Sequence, residues 1–118
     1  MRLSALLLPA ALLTGACQRQ EPVMCTMEAR SGITVAVLGT DGDSLTVTPT
    51  GTLRDGSYEE SLQPFGHRLS GAVERKGTYD VAVTAPGYQP WDTAGVVVTA
   101  DECHVQTVSL DVRLARAE

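Results

Sequence analysis

Residues 77–88, with the sequence Gly-Thr-Tyr-Asp-Val-Ala-Val-Thr-Ala-Pro-Gly-Tyr, decide the fold class of this 118-residue chain. Tyr79, Val81 and Val83 alternate with small or polar residues, so they fall on one face of an extended chain. This period of two is typical of a β-strand with one buried face. Pro86 and Gly87 then favour a turn. We therefore predict a strand over residues 78–85.

The segments on either side repeat this pattern. Further strands are predicted over residues 33–37, 45–50, 57–62, 67–74, 95–99 and 107–114. Asp41-Gly42 is typical of a hairpin turn, residues 53–56 are a predicted turn, and residues 63–66 and 89–93 are predicted loops. Since no helical period is sustained after the N-terminal segment, the sequence predicts an all-β fold, a seven-stranded antiparallel β-sandwich with an Ig-like Greek key. The residues expected to point inward are Tyr79, Val81, Val83, Val108, Leu110 and Val112.

The N-terminal residues have the pattern of an export signal. Arg2 precedes an apolar run that ends in small residues directly before Cys17, and the run is too short to span a bilayer as a helix. Residues 14–17 resemble the lipobox of bacterial lipoproteins, although Thr14 stands where that family has a large aliphatic residue. The resemblance implies cleavage before Cys17 and acylation of its thiol. The alternative is ordinary cleavage near Ala16, which leaves a free thiol.

The resemblance divides the chain into a signal peptide (1–16), a lipidated tether and N-terminal segment (17–30) and one domain (31–118). Gln18 is not the aspartate that favours retention in the inner membrane, so the implied location is the outer membrane, facing the periplasm. The formal net charge of −5 gives no electrostatic basis for binding nucleic acid or anionic headgroups. The membrane is therefore expected as a partner only through the lipid anchor.

Two cysteines remain once Cys17 is assigned to the lipid. In an exported domain, Cys25 and Cys103 are expected to form one disulfide bond. The alternative, a redox-active pair, is disfavoured because the two cysteines are not in a C-x-x-C arrangement.

The stretch 77–88 also carries a family resemblance. Its G-x-Y-x-V-x-V-x-A-x-G-Y pattern resembles the carboxypeptidase regulatory-like domains, and the opening residues 32–37 fit the first strand of that family. The resemblance covers most of residues 32–114 and implies a transthyretin-like (prealbumin-like) seven-stranded sandwich. Cys25 and Cys103 also resemble those of small bacterial lipoproteins built on this domain. The family shares no catalytic residue, so none is transferred to this chain.

Few residues point to chemistry. His67 and His104 lack the spacing of metal ligands, and no G-x-S-x-G motif is present, so we expect no metal, cofactor or catalytic residue. Tyr88 and Trp91, on the loop of residues 86–91, are the candidate ligand-binding pair, because aromatic side chains on loops can stack on a sugar or hold a peptide. The alternative is that both cover the open end of the core.

The sequence thus predicts a membrane-anchored, non-catalytic lipoprotein of the bacterial envelope. Its β-sandwich would be a binding or interaction domain, with an envelope protein or a glycan as the candidate partner. The first alternative is a purely structural envelope domain. Further alternatives are a weak carbohydrate-binding or metal-binding module.

Overall fold

Eight strands in two sheets make up the fold, in a computed structural model that describes residues 23–118. No helix among these residues is long and apolar enough to cross a membrane. The strands are β1 (Ile33–Gly39), β2 (Thr50–Asp55), β3 (Tyr58–Ser61), β4 (Gln63–Phe65), β5 (Arg68–Gly71), β6 (Gly77–Thr84), β7 (Trp91–Val98) and β8 (Val108–Leu114). Sheet I has the order β4-β5-β1-β8, and sheet II has the order β3-β2-β6-β7. The prediction of an all-β fold is confirmed, but the prediction of seven strands is wrong.

One strand pair is parallel, which corrects the expectation of a purely antiparallel sandwich. β1 and β8 run side by side from Ile33↔Val108 to Gly39↔Leu114, and the other pairs are antiparallel. A parallel pair needs a long crossover between its strands. Here all the other strands, including the whole of sheet II, lie in sequence between the two partners.

A single apolar core lies between the sheets. β6 alternates as predicted, with Tyr79, Val81 and Val83 at most 1% exposed. Val112 is also buried as predicted, whereas Val108 and Leu110 are only half-buried against the core. β8 is an edge strand of sheet I, with no neighbour on its outer side within the described residues, and only the second half of β8 is fully covered by the core. Core side chains from the two sheets include Ile33, Val35, Leu69, Val112 and Leu114 from sheet I, and Leu53, Tyr79, Val81, Val83 and Val98 from sheet II.

The second strand lies further along the chain than predicted. β2 begins at Thr50, and its Leu53, which the sequence pattern places in a turn, is fully buried opposite Val81. The turn is instead formed by Gly56 and Ser57 between paired Asp55 and Tyr58, and Gly56 has the positive φ of 58° that this tight hairpin requires. Core packing of one leucine outweighs the turn-forming residues around it.

Three further boundaries differ from the prediction. Asp41-Gly42 makes a tight turn, but residues 45–48 do not form a strand behind it, and only Leu38 and Ser44 form a bridge there. Residues 63–65 form β4, where a loop was expected, because they pair with β5. β7 begins at Trp91 and reaches Val98, with an irregularity beside Gly95, whose φ is 73°. A bulge of this kind interrupts an edge strand.

The N-terminal segment is fastened to the domain. Cys25 and Cys103 form the predicted disulfide, with their Cα atoms 5.2 Å apart, which confirms that pair. The Thr107 hydroxyl donates to the carbonyl of Ser31 at 2.7 Å. The predicted signal peptide (1–16) and the lipid site Cys17 lie outside the described residues.

The register of the strands gives the domain two distinct ends. The tether end holds the disulfide and residues 101–107, where β1 and β8 begin. The far end holds residues 39–44, where β1 finishes, together with residues 85–90 between β6 and β7.

Candidate functional site

Tyr88 and Trp91 lie at the far end but do not form one exposed platform. Tyr88 closes a turn in which its amide donates to Ala85 at 3.1 Å, and it forms a bridge with Arg116. The Arg116 guanidinium carbon lies 5.6 Å from the Tyr88 ring centroid. Trp91 instead opens β7 opposite Val83. Both aromatic side chains are half-buried and pack against the core, which fits a covering role better than a ligand-binding one.

A separate cleft opens at the far end, where the two central strands of sheet I differ in length. β5 is paired with β1 only as far as Ala36, whereas β1 continues to Gly39. The β4–β5 hairpin therefore stops short and forms one wall, and residues 44–49, which cross from sheet I to sheet II, form the other. The cleft has a volume of about 430 Å³.

The wall and floor of this cleft are mostly apolar. Val37, Leu45 and Val47 are half-buried and pack against the core beneath. The complete lining is Val35, Ala36, Val37, Leu38, Ser44, Leu45, Val47, Thr48, Pro49, Pro64, Gly66, His67, Arg68 and Leu69. The volume and the apolar lining are both typical of sites for small ligands.

Two basic side chains stand at the rim of the cleft. His67 is one of the two residues at the turn of the β4–β5 hairpin, and Arg68 is the first residue of β5, paired with Phe65. Gly66, the other turn residue, has the φ of 60° that such a two-residue turn needs. Both His67 and Arg68 are exposed, and among residues 23–118 neither forms an ion pair.

A second candidate is a polar cluster at the tether end. The Thr26 hydroxyl lies 2.9 Å from His104 Nε2, and His104 Nδ1 lies 2.8 Å from Glu74 Oε1. Glu74 also accepts hydrogen bonds from the amides of Arg30 at 2.7 Å and Val105 at 3.3 Å. His104 is 8% exposed. Sequence patterns do not predict this cluster, because its members are far apart along the chain.

Hydrogen bonds keep two carboxylates of this region ionised. The amide of Arg30 and then the His104 side chain lower the pKa of Glu74. The amides of His104 and Cys103, each 2.8 Å from Asp101 Oδ1, lower the pKa of Asp101. Amide donors favour the charged form of a carboxyl group, so both residues act as anionic acceptors that fix the loop.

The order hydroxyl, imidazole, carboxylate is that of a nucleophile activated by a base. In this cluster, however, the partners of Glu74 are mainly backbone amides, and the cleft described above is lined by other residues. The bonds join the N-terminal segment to the loop of residues 101–107, next to the disulfide. The cluster therefore serves to hold that segment.

The two histidines are at opposite ends of the domain, with His67 at the cleft and His104 in the polar cluster with Thr26 and Glu74, called the clamp below. Among residues 23–118, no three His, Cys, Asp or Glu side chains converge as a group that could hold a metal ion. A second cavity, of about 360 Å³, lies on the outer face of sheet II and is lined by Thr52, Arg54, Asp80, Val81, Ala82, Asp92, Thr93 and Ala94. Comparison with family models and with curated proteins finds no match to this chain.

Proposed function

We propose that this chain is an exported, lipid-anchored and non-catalytic binding protein of the bacterial envelope. The observation that supports this proposal is that the fastened N-terminal segment and the cleft lie at opposite ends of the domain. The disulfide and the polar cluster hold the N-terminal segment at the tether end, and the largest apolar cleft described above opens at the far end. An anchor at Cys17 would thus leave the cleft directed away from the membrane, where a partner could reach it.

The disulfide supports the location. Such bonds persist in oxidising compartments and are rare in the cytosol. The lipobox-like residues 14–17 supply the anchor in this proposal. We expect the native protein to sit in the outer membrane, facing the periplasm.

The domain type belongs to the same proposal. We infer a carboxypeptidase regulatory-like, transthyretin-like domain with one additional short strand. In support, the motif of residues 77–88 forms β6 and the turn behind it. The hydroxyl of buried Tyr79 donates to the carbonyl of Arg75 at 2.7 Å, a backbone-directed tyrosine contact that is typical of β-sandwich domains.

Fractionation of the native host tests the anchor. The wild-type protein should float with membranes, and the Cys17→Ser protein should appear in the soluble periplasmic fraction or fail to mature. A Cys17→Ser protein that still floats at its normal mature size would refute the lipid anchor. Cys25→Ser is the matched control, because it changes a cysteine that is not assigned to the lipid.

Photo-crosslinking in native envelopes separates a binding role from a purely structural one. A photoreactive residue replaces Thr48, which is exposed at the cleft, or Glu59, which is exposed on β3 of sheet II. A discrete adduct from position 48 but not from position 59 supports binding at the far end. Equal and diffuse labelling from both positions would favour the structural alternative.

A further inference from the structure

We propose that the far-end cleft binds a small amphiphilic molecule that combines an apolar body with a single anionic headgroup. This inference rests on the proposed binding role and names the chemical class of the ligand. It rests on three features of the cleft: an apolar floor, a basic rim, and a β1 edge whose Gly39 amide is already bonded to Asp43.

The apolar part of the site is built into the fold. β1 extends beyond β5, so residues 37 and 38 have no β5 partner beside them, and both line the cleft. Leu45 and Val47 face the same space from the opposite wall. A ligand with an apolar body would remove this surface from water, which favours binding in proportion to the apolar area buried.

The charge of the rim selects the headgroup. The whole chain has a net charge of −5, yet no Asp or Glu lines the cleft. Its ionisable lining residues are His67 and Arg68, and Arg68 has no ion-pair partner within residues 23–118. A guanidinium group beside an apolar cavity favours a carboxylate, a sulfonate or a phosphate. Although the chain as a whole is acidic, the charge at this rim is therefore locally complementary to an anion.

The backbone favours a small molecule over a peptide strand. A peptide that adds to a sheet needs a row of free amide and carbonyl groups. The edge of β1 that continues past β5 is instead bridged to Ser44, and the amide of Gly39 donates to the carbonyl of Asp43 at 2.9 Å. Side-chain contacts in the cleft, rather than strand pairing, are therefore what remains for a ligand.

Binding of decanoate and of its uncharged methyl ester tests the inference. Titration calorimetry uses the full chain carrying Cys17→Ser, so that no attached acyl chain competes. Decanoate should bind more tightly than the ester. Arg68→Gln should weaken decanoate binding about three- to tenfold, and Arg68→Glu should weaken it further, whereas ester binding should hardly change. Arg54→Gln, an identical change on the outer face of sheet II, is the matched control and should have no effect.

Nuclear magnetic resonance locates the bound molecule. Amides of residues 35–38, 44–48 and 66–69 should shift with decanoate, and those of residues 87–91 should not. Equal affinity for acid and ester, insensitivity to Arg68→Glu, or shifts confined to residues 87–91 would each overturn the inference. So would a protein as the only crosslinked adduct at position 48, although that result would leave the wider binding role intact.

Discussion

Removal of the Cys25–Cys103 bridge, by replacing both cysteines with alanine, is the most informative change to stability. The bridge joins residues 78 positions apart. For a loop of that length, the chain-entropy treatment gives about 4.5 kcal/mol at 25 °C. Small domains have a free energy of unfolding of about 5–15 kcal/mol, so this upper limit for the contribution of the bridge is a large share of it.

The contacts of the N-terminal segment indicate that the loss in free energy of unfolding is smaller than this upper limit. Without the bridge, residues 25–31 keep only a few contacts, which include the bonds from Thr26 to His104, from Arg30 to Glu74 and from Thr107 to Ser31. This segment can detach while both sheets remain paired, and the chain entropy it regains offsets part of the loss. We expect a destabilisation of about 2–4 kcal/mol, which lowers the melting temperature by about 10–20 °C.

Calorimetry and amide hydrogen exchange together check this reasoning. The melting temperature should fall as stated. The Arg30 and Glu74 amides should lose protection at low temperature, while that of Val81 in β6 keeps it. An unchanged melting temperature would refute the entropic argument. Equal loss of protection at Arg30 and Val81 would show that the segment does not detach separately from the sheets.

Three further changes test the core and the clamp. Val81→Asp should unfold the domain, because an unpaired carboxylate in the core costs about 3 kcal/mol or more. An unchanged circular dichroism spectrum and melting temperature would show that Val81 does not lie on the buried face of β6. Trp91→Ala should cost about 2 kcal/mol without changing decanoate binding, since Trp91 packs against the core; lost binding with an intact melting curve would restore it as a ligand residue. The pKa values of Glu74 and Asp101 are lowered in the folded protein from their ordinary values of 4.5 and 3.8, so both ionised carboxylates stabilise the fold at a pH above those ordinary values. This contribution to stability is lost as the pH falls through the lowered pKa values of the folded state. Glu74→Gln should therefore flatten the loss of stability below pH 4.5, and an unaltered acid profile would contradict that assignment.

The sequence predicts β6 and β8 closely, because each has a strict period of two, and Pro86 and Gly87 also mark the end of β6. It fails at β2, where Leu53 lies among turn-forming residues and only tertiary packing selects the strand. Residues 45–48 alternate as a strand would, yet they cross between the sheets and line the cleft. Local pattern cannot distinguish these two uses of the same alternation.

The candidate sites show the same limit. Cys25 and Cys103 could be paired by counting cysteines, and the structure confirms the bond. The contacts of His104 with Thr26 and Glu74 depend on chain segments that meet only after folding, so no spacing rule could find them. The cleft depends on the unequal lengths of β1 and β5, which residue patterns leave undetermined within a few positions.

The parallel pairing of the first and last strands also has a consequence for the order of folding. Ile33 finds its partner Val108 only when nearly the whole chain is available. Contacts between such distant residues form late, because the entropy of closing the intervening loop opposes them. If a chain crosses a membrane with its N-terminus first, β1 leaves the side of synthesis before β8 does. Such a chain could therefore not complete sheet I on the side where it is synthesised. For an exported chain, this topology would delay the completion of sheet I until translocation is nearly finished.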